Sequence, residues 1–209
     1  MATRDEPEER ILDAALARIM QVGIRRASLD DIARRARLNR VTIYRRFRTK
    51  ENLIDAVLRR EIERALAEAT AIVAATEGID ARIEIAVLYV LRQTRTHPLV
   101  TRLLDVAPDE AVTFYTVRGE ELVRLGIGYI VGLLRATQEL GLIDRYDPEP
   151  VAELVARLAH SVLMTPAGGV NFEDDTQLRA FVTAAIVPMV KHGIGAPSQQ
   201  SSDRTRQRA

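Results

Sequence analysis

The sequence predicts an all-α fold: a small three-helix unit at the N-terminus followed by a larger helical body. Three observations predict it. Apolar residues recur at helical spacing along most of the chain, with no strand-like alternation and no internal repeat. Good N-cap residues precede these stripes, and glycine or proline follows them. An apolar fraction of 47% over 209 residues supplies a sizeable core.

The elements follow in order. Residues 1–9 are highly charged and are expected to be disordered. A first helix runs from Arg10 to Val22, with Ile11, Leu12, Ala15, Leu16 and Ile19 as its buried stripe and Gly23 as its end. Ser28 and Asp31 form a capping box: the hydroxyl accepts a first-turn N–H and the carboxylate reaches back. The helix they open buries Leu29, Ile32, Ala33 and Ala36. Asn39 caps a third helix carrying Val41, Ile43, Tyr44 and Phe47 among Arg40, Arg45 and Arg46. Thr49 caps a long helix from Lys50 to about Ala75, and Gly78 breaks it.

Further helices follow. Ala81–Thr96 stops at His97-Pro98. Leu99–Val106 is short and precedes Pro108. Asp109–Leu140 holds one long helix or two in tandem, ended by Gly141. The next begins in Pro148-Glu149-Pro150 and runs to about Met164, proline being suited to a first turn. Thr165 to Gly169 is a loop, and a final helix spans about Asp175–His192. The domains expected are a head at 10–52, a body at 53–193 and a disordered polar tail at 194–209.

Composition narrows the function. The chain has no cysteine, which excludes disulfides and thiolate metal sites. Its start lacks the apolar core of a secretory signal. The longest uncharged apolar run, Leu125–Leu134, is about half of the roughly 20 residues a membrane span needs. A soluble, cytoplasmic protein is expected. The net charge of +1 hides an asymmetry: residues 1–60 hold fifteen Lys/Arg against nine Asp/Glu, a charge of +6, and the remainder carries −5. A basic head on an acidic body suits a protein whose head alone meets a polyanion.

The stretch from Ala27 to Leu53 gives that reading a mechanism. Two short capped helices joined by a tight corner make a helix-turn-helix, and a basic second helix of this size fits the DNA major groove. With Ile43 and Phe47 facing the head's core, Arg40, Val41, Thr42, Arg45 and Arg46 are left pointing away. Arginine forks bond guanine O6 and N7, and Val41 or Thr42 offers methyl contact to thymine. Ser28, Thr49 and Lys50 sit at helix N-termini, where amides and the dipole favour a phosphate. Tyr44 either packs its ring at the core edge or also presents its hydroxyl to a phosphate.

The same stretch resembles the N-terminal domain of the TetR family of bacterial transcriptional regulators. The residues that carry the likeness are Gly23, Ser28, Asp31-Ile32-Ala33, Thr42-Ile43-Tyr44-Arg45-Arg46-Phe47 and Lys50-Glu51-Asn52-Leu53. It covers roughly the first quarter of the chain. Arg37 and Val41 depart from it, since the family usually has glycine in the corner and at the start of the recognition helix. If Arg37 has positive φ, the corner costs on the order of 1 kcal/mol.

The resemblance implies a ligand-responsive regulator, most simply a repressor. It would bind double-stranded DNA at a palindromic operator as a homodimer, and be released by a largely apolar small molecule. It further implies that the Tyr44 hydroxyl meets a phosphate and that the last two helices build the dimer. Their stripes are Val151, Leu154, Val155, Leu158 and Val162, and Leu178, Phe181, Val182, Ala185 and Met189. Read from the residues alone, both stripes suit a four-helix bundle across a two-fold axis or the chain's own core equally well. Candidate ligand-wall residues are Tyr89, Arg92, Phe114, Tyr115, Arg118, Tyr129 and Met164. Gly126, Gly128 and Gly132 leave room on one helix either for a neighbouring helix or for a ligand.

Two alternatives remain. One is a DNA-binding protein that acts without an effector or through a protein partner. The other is an all-helical enzyme, for which the support is thin. His97, His160 and His192 lack metal-ligand spacing, and Ala167-Gly168-Gly169 lacks the lysine of a phosphate loop. The adjacent pairs Glu120-Glu121 and Asp174-Asp175 project in different directions from a helix, so capping and surface roles suffice for them. No catalytic residue, metal or cofactor is assigned.

Overall fold

The computed structural model describes residues 6–117, 119–165 and 168–195. All of its regular elements among these residues are helical. The head comprises α1 (Glu6–Val22), α2 (Leu29–Ala36), α3 (Arg40–Phe47) and the start of α4 (Lys50–Ala74). The body adds α5 (Ile79–Thr96), α6 (Pro98–Val106), α7 (Pro108–Val117), α8 (Gly119–Glu139) and α9 (Pro148–Met164). It closes with α10 (Asp175–Phe181), a π-helical turn (Val182–Ile186) and α11 (Val187–His192).

Local chemistry sets most of these boundaries. The Ser28 hydroxyl accepts from the Asp31 amide at 3.1 Å, the Asn39 carbonyl from Val41 at 2.9 Å and the Thr49 hydroxyl from Asn52 at 3.1 Å. Each removes one orphan donor from a first turn. The reciprocal half of the capping box is absent, because the Asp31 carboxylate turns to Arg18 at 3.0 Å and to Arg34 instead. Two cations outcompete one amide for a carboxylate. The Arg34 hydrogen bond, more than any other contact, holds the Asp31 carboxyl below its ordinary value.

Two elements, the first and the last, differ from the sequence expectation, and a third resolves an alternative it left open. Helix α1 begins at Glu6, not Arg10, since Glu6, Glu8 and Glu9 favour the positive end of the dipole and Pro7 is tolerated in a first turn. Residues 6–9 are therefore ordered helix; residues 1–5 and 196–209 lie outside the described residues. The 109–140 segment is two helices in tandem. The last helix is interrupted because Pro188 has no N–H and cannot continue an α-helical ladder. The Val187 amide bonds the Val182 carbonyl across the wider π turn.

Two buried clusters hold the chain. One joins Ile11, Leu12, Ile19, Ile32, Ile43 and Phe47 of the head with Leu53, Ile54, Val57 and Leu58 of α4. It continues into Leu99 and Leu103 of α6 and Phe114 and Tyr115 of α7. The head core thus runs past residue 52 into α4 and onto the body, so the boundary expected at 52/53 falls inside one cluster. The other cluster centres on Ile83, Val87, Leu88 and Leu91 of α5, packed against α8, α9, α10 and α11. Arg60 of α4 is 1% exposed and binds Glu9 at 3.1 Å and Asp13 at 2.8 Å, which ties α4 to α1.

The two C-terminal stripes divide between core and surface. Val151, Val162, Leu178 and Val182 are buried inside their own chain, so these four expected dimer residues face the protomer core. Helix α5 inserts against both stripes and takes one side of each. Leu154 remains 50% exposed, Ala185 is exposed, and Val155, Leu158, Phe181 and Met189 are half-buried.

Candidate nucleic-acid interface

Helix geometry decides which α3 side chains face outward. At about 100° per residue, Arg45 lies about 180° from the direction shared by Ile43 and Phe47. Val41 and Thr42 lie about 140° and 120° away, Tyr44 and Arg46 only about 80°, and Arg40 about 40°. The coordinates agree: Ile43 and Phe47 are buried, Val41 is 70% exposed, and Arg45 is exposed. The outward face is therefore Val41 and Arg45, with half-buried Thr42 beside them.

Two of the expected outward cations are held by partners within the head. Arg46 is half-buried and lies 3.7 Å from Glu8 of α1. Its place beside the buried stripe swings it across the head rather than away from it. Arg40 bonds both Asp30 oxygens through Nη1 at 2.9 Å and donates through Nη2 to the Tyr44 hydroxyl, also at 2.9 Å. Its guanidinium carbon lies 5.2 Å from the Tyr44 ring centroid. The Tyr44 hydroxyl, and after it Asp30, raise the Arg40 guanidinium above its already high value.

The corners of α3 carry two further arginines. Arg37 adopts φ 56° and ψ 42°, the left-handed conformation in which a non-glycine corner carries a cost, and its amide bonds the Ala33 and Arg34 carbonyls. Arg48 has φ 61° and ψ −47°, and the Thr49 amide bonds the Phe47 carbonyl at 2.7 Å. That is a γ-turn of the rare, strained hand. Arg37 and Arg48 are both exposed. Sequence reading did not put either among the DNA contacts; the available signal was an arginine at each end of the cationic helix.

The flanking elements are pinned to the body. The Lys50 ammonium donates to the Arg25 carbonyl at 2.8 Å, and the Arg25 amide donates to Glu110 of α7 at 2.9 Å. Gly23 makes this approach possible: it has φ 82°, and a Cβ there would lie 2.7 Å from the Ala107 Cβ. Ser28, Thr49 and Lys50 thus keep their helix-start positions around α3.

The expected ligand-wall residues have the following partners among the described residues. Phe114 and Tyr115 pack edge to face at 5.4 Å in the head cluster, and Met164 lies against the same cluster. The Tyr89 hydroxyl donates to Glu68 at 2.6 Å, and Arg92 pairs with Asp175 at 3.0 Å. The Tyr129 hydroxyl meets Thr70 at 2.6 Å. Arg118 lies outside the described residues. A cavity of about 20 Å³ between α4, α7 and α8 is lined by Leu58, Phe114, Leu122 and Leu125. Arg59 and Glu121 pair at its rim. An open groove of about 500 Å³ runs between α8 and α9 over Ile127, Gly128 and Val131. On α8, a Cβ at Gly126 would meet Ala156 of α9 at 3.6 Å, whereas Gly128 and Gly132 face open space. Close packing therefore uses the first glycine only.

The histidines have structural work. His97 caps α6 through Nδ1, His160 Nε2 bonds the Tyr115 carbonyl at 2.8 Å, and His192 pairs with Asp144. Asp174 caps α10 by accepting from Thr176 and Gln177 at 2.8 and 3.1 Å.

Comparison with known proteins agrees with this architecture. Residues 11–57 match the family described as bacterial regulatory proteins, tetR family. An uncharacterized HTH-type transcriptional regulator of Mycobacterium tuberculosis is 29% identical over 182 residues, which is 87% of this chain and 84% of that protein. The TetR family repressor AlkX from Dietzia sp., implicated in biodegradation of n-alkanes, superimposes with a TM-score of 0.67 at 22% identity. That match covers 90% of this chain and 97% of AlkX. The regulator FadR from Bacillus subtilis, solved in complex with stearoyl-CoA, has a TM-score of 0.51 at 14% identity. It covers 89% of this chain and 98% of FadR.

Proposed function

Because the chain belongs to the TetR family, as a transcriptional regulator and not an enzyme, we propose that it is a repressor that binds a palindromic operator as a homodimer and is released by a largely apolar small molecule. The observation that carries the reading is the solvent-facing side of α3. Exposed Val41 and Arg45, with half-buried Thr42 beside them, stand opposite the buried Ile43 and Phe47 on a helix fixed by caps at both ends. Such a helix enters a major groove, where Arg45 reads a guanine edge and the two methyl-bearing side chains meet thymine. Ser28, Tyr44, Thr49 and Lys50 contact the flanking phosphates, and Arg37 and Arg48 add cations at the rims.

A single head reads too few base pairs for a specific site. Two heads related by a two-fold axis reach successive major grooves about 34–36 Å apart. The exposed Leu154 and Ala185, with half-buried Leu158, Phe181 and Met189, supply the apolar surface for pairing. This function belongs to the cytoplasm. Among the described residues, no helix is long and apolar enough to cross a membrane.

The effector enters at the small cavity beside Phe114. Leu58, Phe114, Leu122 and Leu125 give it an apolar side, Asp55, Arg59 and Glu121 line the rest, and opening the Arg59–Glu121 pair would widen it. AlkX's association with n-alkane degradation and FadR's stearoyl-CoA complex support an apolar effector. The cavity's present size favours a second reading, an operator-binding protein that acts without an effector. A drug-sized ligand needs roughly 300 Å³ or more.

Selection of bound sequences from random DNA tests the central claim. The expected product is a two-fold symmetric motif with half-sites about one helical turn apart. No enrichment, or an asymmetric single site, overturns it. Titrating the operator complex with long-chain acyl-CoA and lipophilic compounds separates the two readings: release of DNA supports the effector, and retention with every compound supports the second.

A further inference from the structure

We propose that Asp30 is a positioning residue for base recognition, locking Arg40 so that its remaining N–H groups read one guanine in each half-site. The inference rests on the DNA-binding reading and deepens it. Asp30 stands in the first turn of α2 and Arg40 opens α3, so their pairing crosses the helix-turn-helix corner. Both carboxylate oxygens lie 2.9 Å from Nη1, Nη2 donates to the Tyr44 hydroxyl, and the guanidinium sits over the Tyr44 ring.

Three contacts on one arginine are many for a surface residue. The side chains of Arg40 and Asp30 are 49% and 62% exposed, so water weakens the pair and its contribution to stability is small. What the contacts do restrict is orientation, and a side chain ordered before binding loses less freedom on binding. A guanidinium has five N–H donors. Asp30 occupies the Nη1 side and Tyr44 takes one N–H of Nη2, which leaves the Nε–H and the second Nη2–H side by side on one edge. Guanine presents two matching acceptors, O6 and N7, in the major groove. The first turn of a recognition helix is where base contacts are made.

Two further features fit. A carboxylate beside a DNA-binding face repels every phosphate unless a cation occupies it, and Arg40 occupies this one. The Tyr44 hydroxyl accepts from Arg40, so its own O–H stays available to donate to a phosphate. One arrangement therefore orients a base reader and a phosphate contact together.

Selection from random DNA is run with wild type, Asp30→Ala, Asp30→Asn, Arg40→Ala and the double alanine variant, followed by competition with single-position operator variants. In wild type, one guanine per half-site should be favoured about tenfold or more over other bases. Asp30→Ala should flatten that position alone, leaving other positions and the salt slope unchanged. Arg40→Ala should match it, the double variant should be no worse than either single one, and Asp30→Asn should restore part of the preference. The thermal melts should be alike, which separates positioning from a folding role. Unchanged preference at every position in Asp30→Ala overturns the proposal. So does a uniform gain in affinity for all sequences, which would show the carboxylate merely masking Arg40. Absence of any enriched site with wild type would instead remove the DNA-binding reading, and this assignment with it.

Discussion

Replacing Gly119 with alanine should destabilise the protein by about 1–3 kcal/mol, although alanine is the better helix former. A Cβ at position 119 would lie 2.7 Å from His160 Nε2 and 3.4 Å from its Cε1. The same Nε2 is bonded to the Tyr115 carbonyl at 2.8 Å. The ring must retreat by roughly 0.7 Å to reach ordinary contact, and the hydrogen bond is stretched or lost. Overpacking costs about 1–3 kcal/mol and the lost bond about 0.5–1.5 kcal/mol. The helix gain from Gly to Ala returns only about 0.5–1 kcal/mol. For a chain of this size each kcal/mol is worth about 2–4 °C in Tm, so a fall of about 5 °C is expected in a calorimetric melt. The sharper test repeats the substitution in a His160→Ala background. With the ring gone, Gly119→Ala should become neutral or slightly stabilising, a coupling of about 2 kcal/mol. An equal loss in both backgrounds would refute the argument, because the clash would then not be the cause. The contact matters beyond stability, since it joins α9 to the end of α7, whose Phe114 and Tyr115 lie in the head cluster.

Four further outcomes follow from the same geometry. Arg45→Ala should relax base preference at one operator position by about 1–3 kcal/mol, whereas Lys50→Ala should weaken all sequences alike and lower the salt slope by about one per head; gel-shift titration across salt concentrations distinguishes them. Leu154→Glu should yield a monomer in sedimentation and lose operator affinity while the chain stays folded; a persistent dimer would move the interface elsewhere. Arg60→Ala should cost about 2–4 kcal/mol in denaturant unfolding, and Arg60→Met distinctly less, because methionine restores buried volume while Glu9 and Asp13 remain able to reach water. Burial pushes the Tyr89, Tyr115 and Tyr146 hydroxyls up to about 12 from an ordinary 10. A raised value in the folded state favours the neutral form, so this stability is complete below pH 10 and is lost as the pH climbs toward 12. An ultraviolet titration showing all five tyrosines ionising together near pH 10 in the native protein would contradict that burial.

The chain's own order of residues was enough to locate the helices and the helix-turn-helix corner. Ser28, Asn39 and Thr49 cap what they were expected to cap because each bond closes within two or three residues. Ile43 and Phe47 face inward for the same local reason, one helical turn apart. Gly78 and Pro148 stand where helices break or begin, since their backbone preferences need no distant partner. At Arg37 the motif that usually places glycine raised the question of a left-handed corner, and the structure answered it with φ 56°.

What the tertiary structure alone decided concerns partners far apart in sequence. Periodicity leaves the flanks of an eight-residue helix undecided, so only folding could send Arg46 to Glu8 and Arg40 to Asp30. The stripes of α9 and α10 were apolar wherever they might face, and the insertion of α5 chose Val151, Val162, Leu178 and Val182 for the core while leaving Leu154 outside. Tyr89 and Tyr129 found polar partners on α4, at Glu68 and Thr70, that periodicity could not name. Hydrogen bonds and helical period act within a turn or two and are written in short words of sequence. Which charge meets which, and which apolar face is covered, depends on chain segments brought together only when the whole core closes.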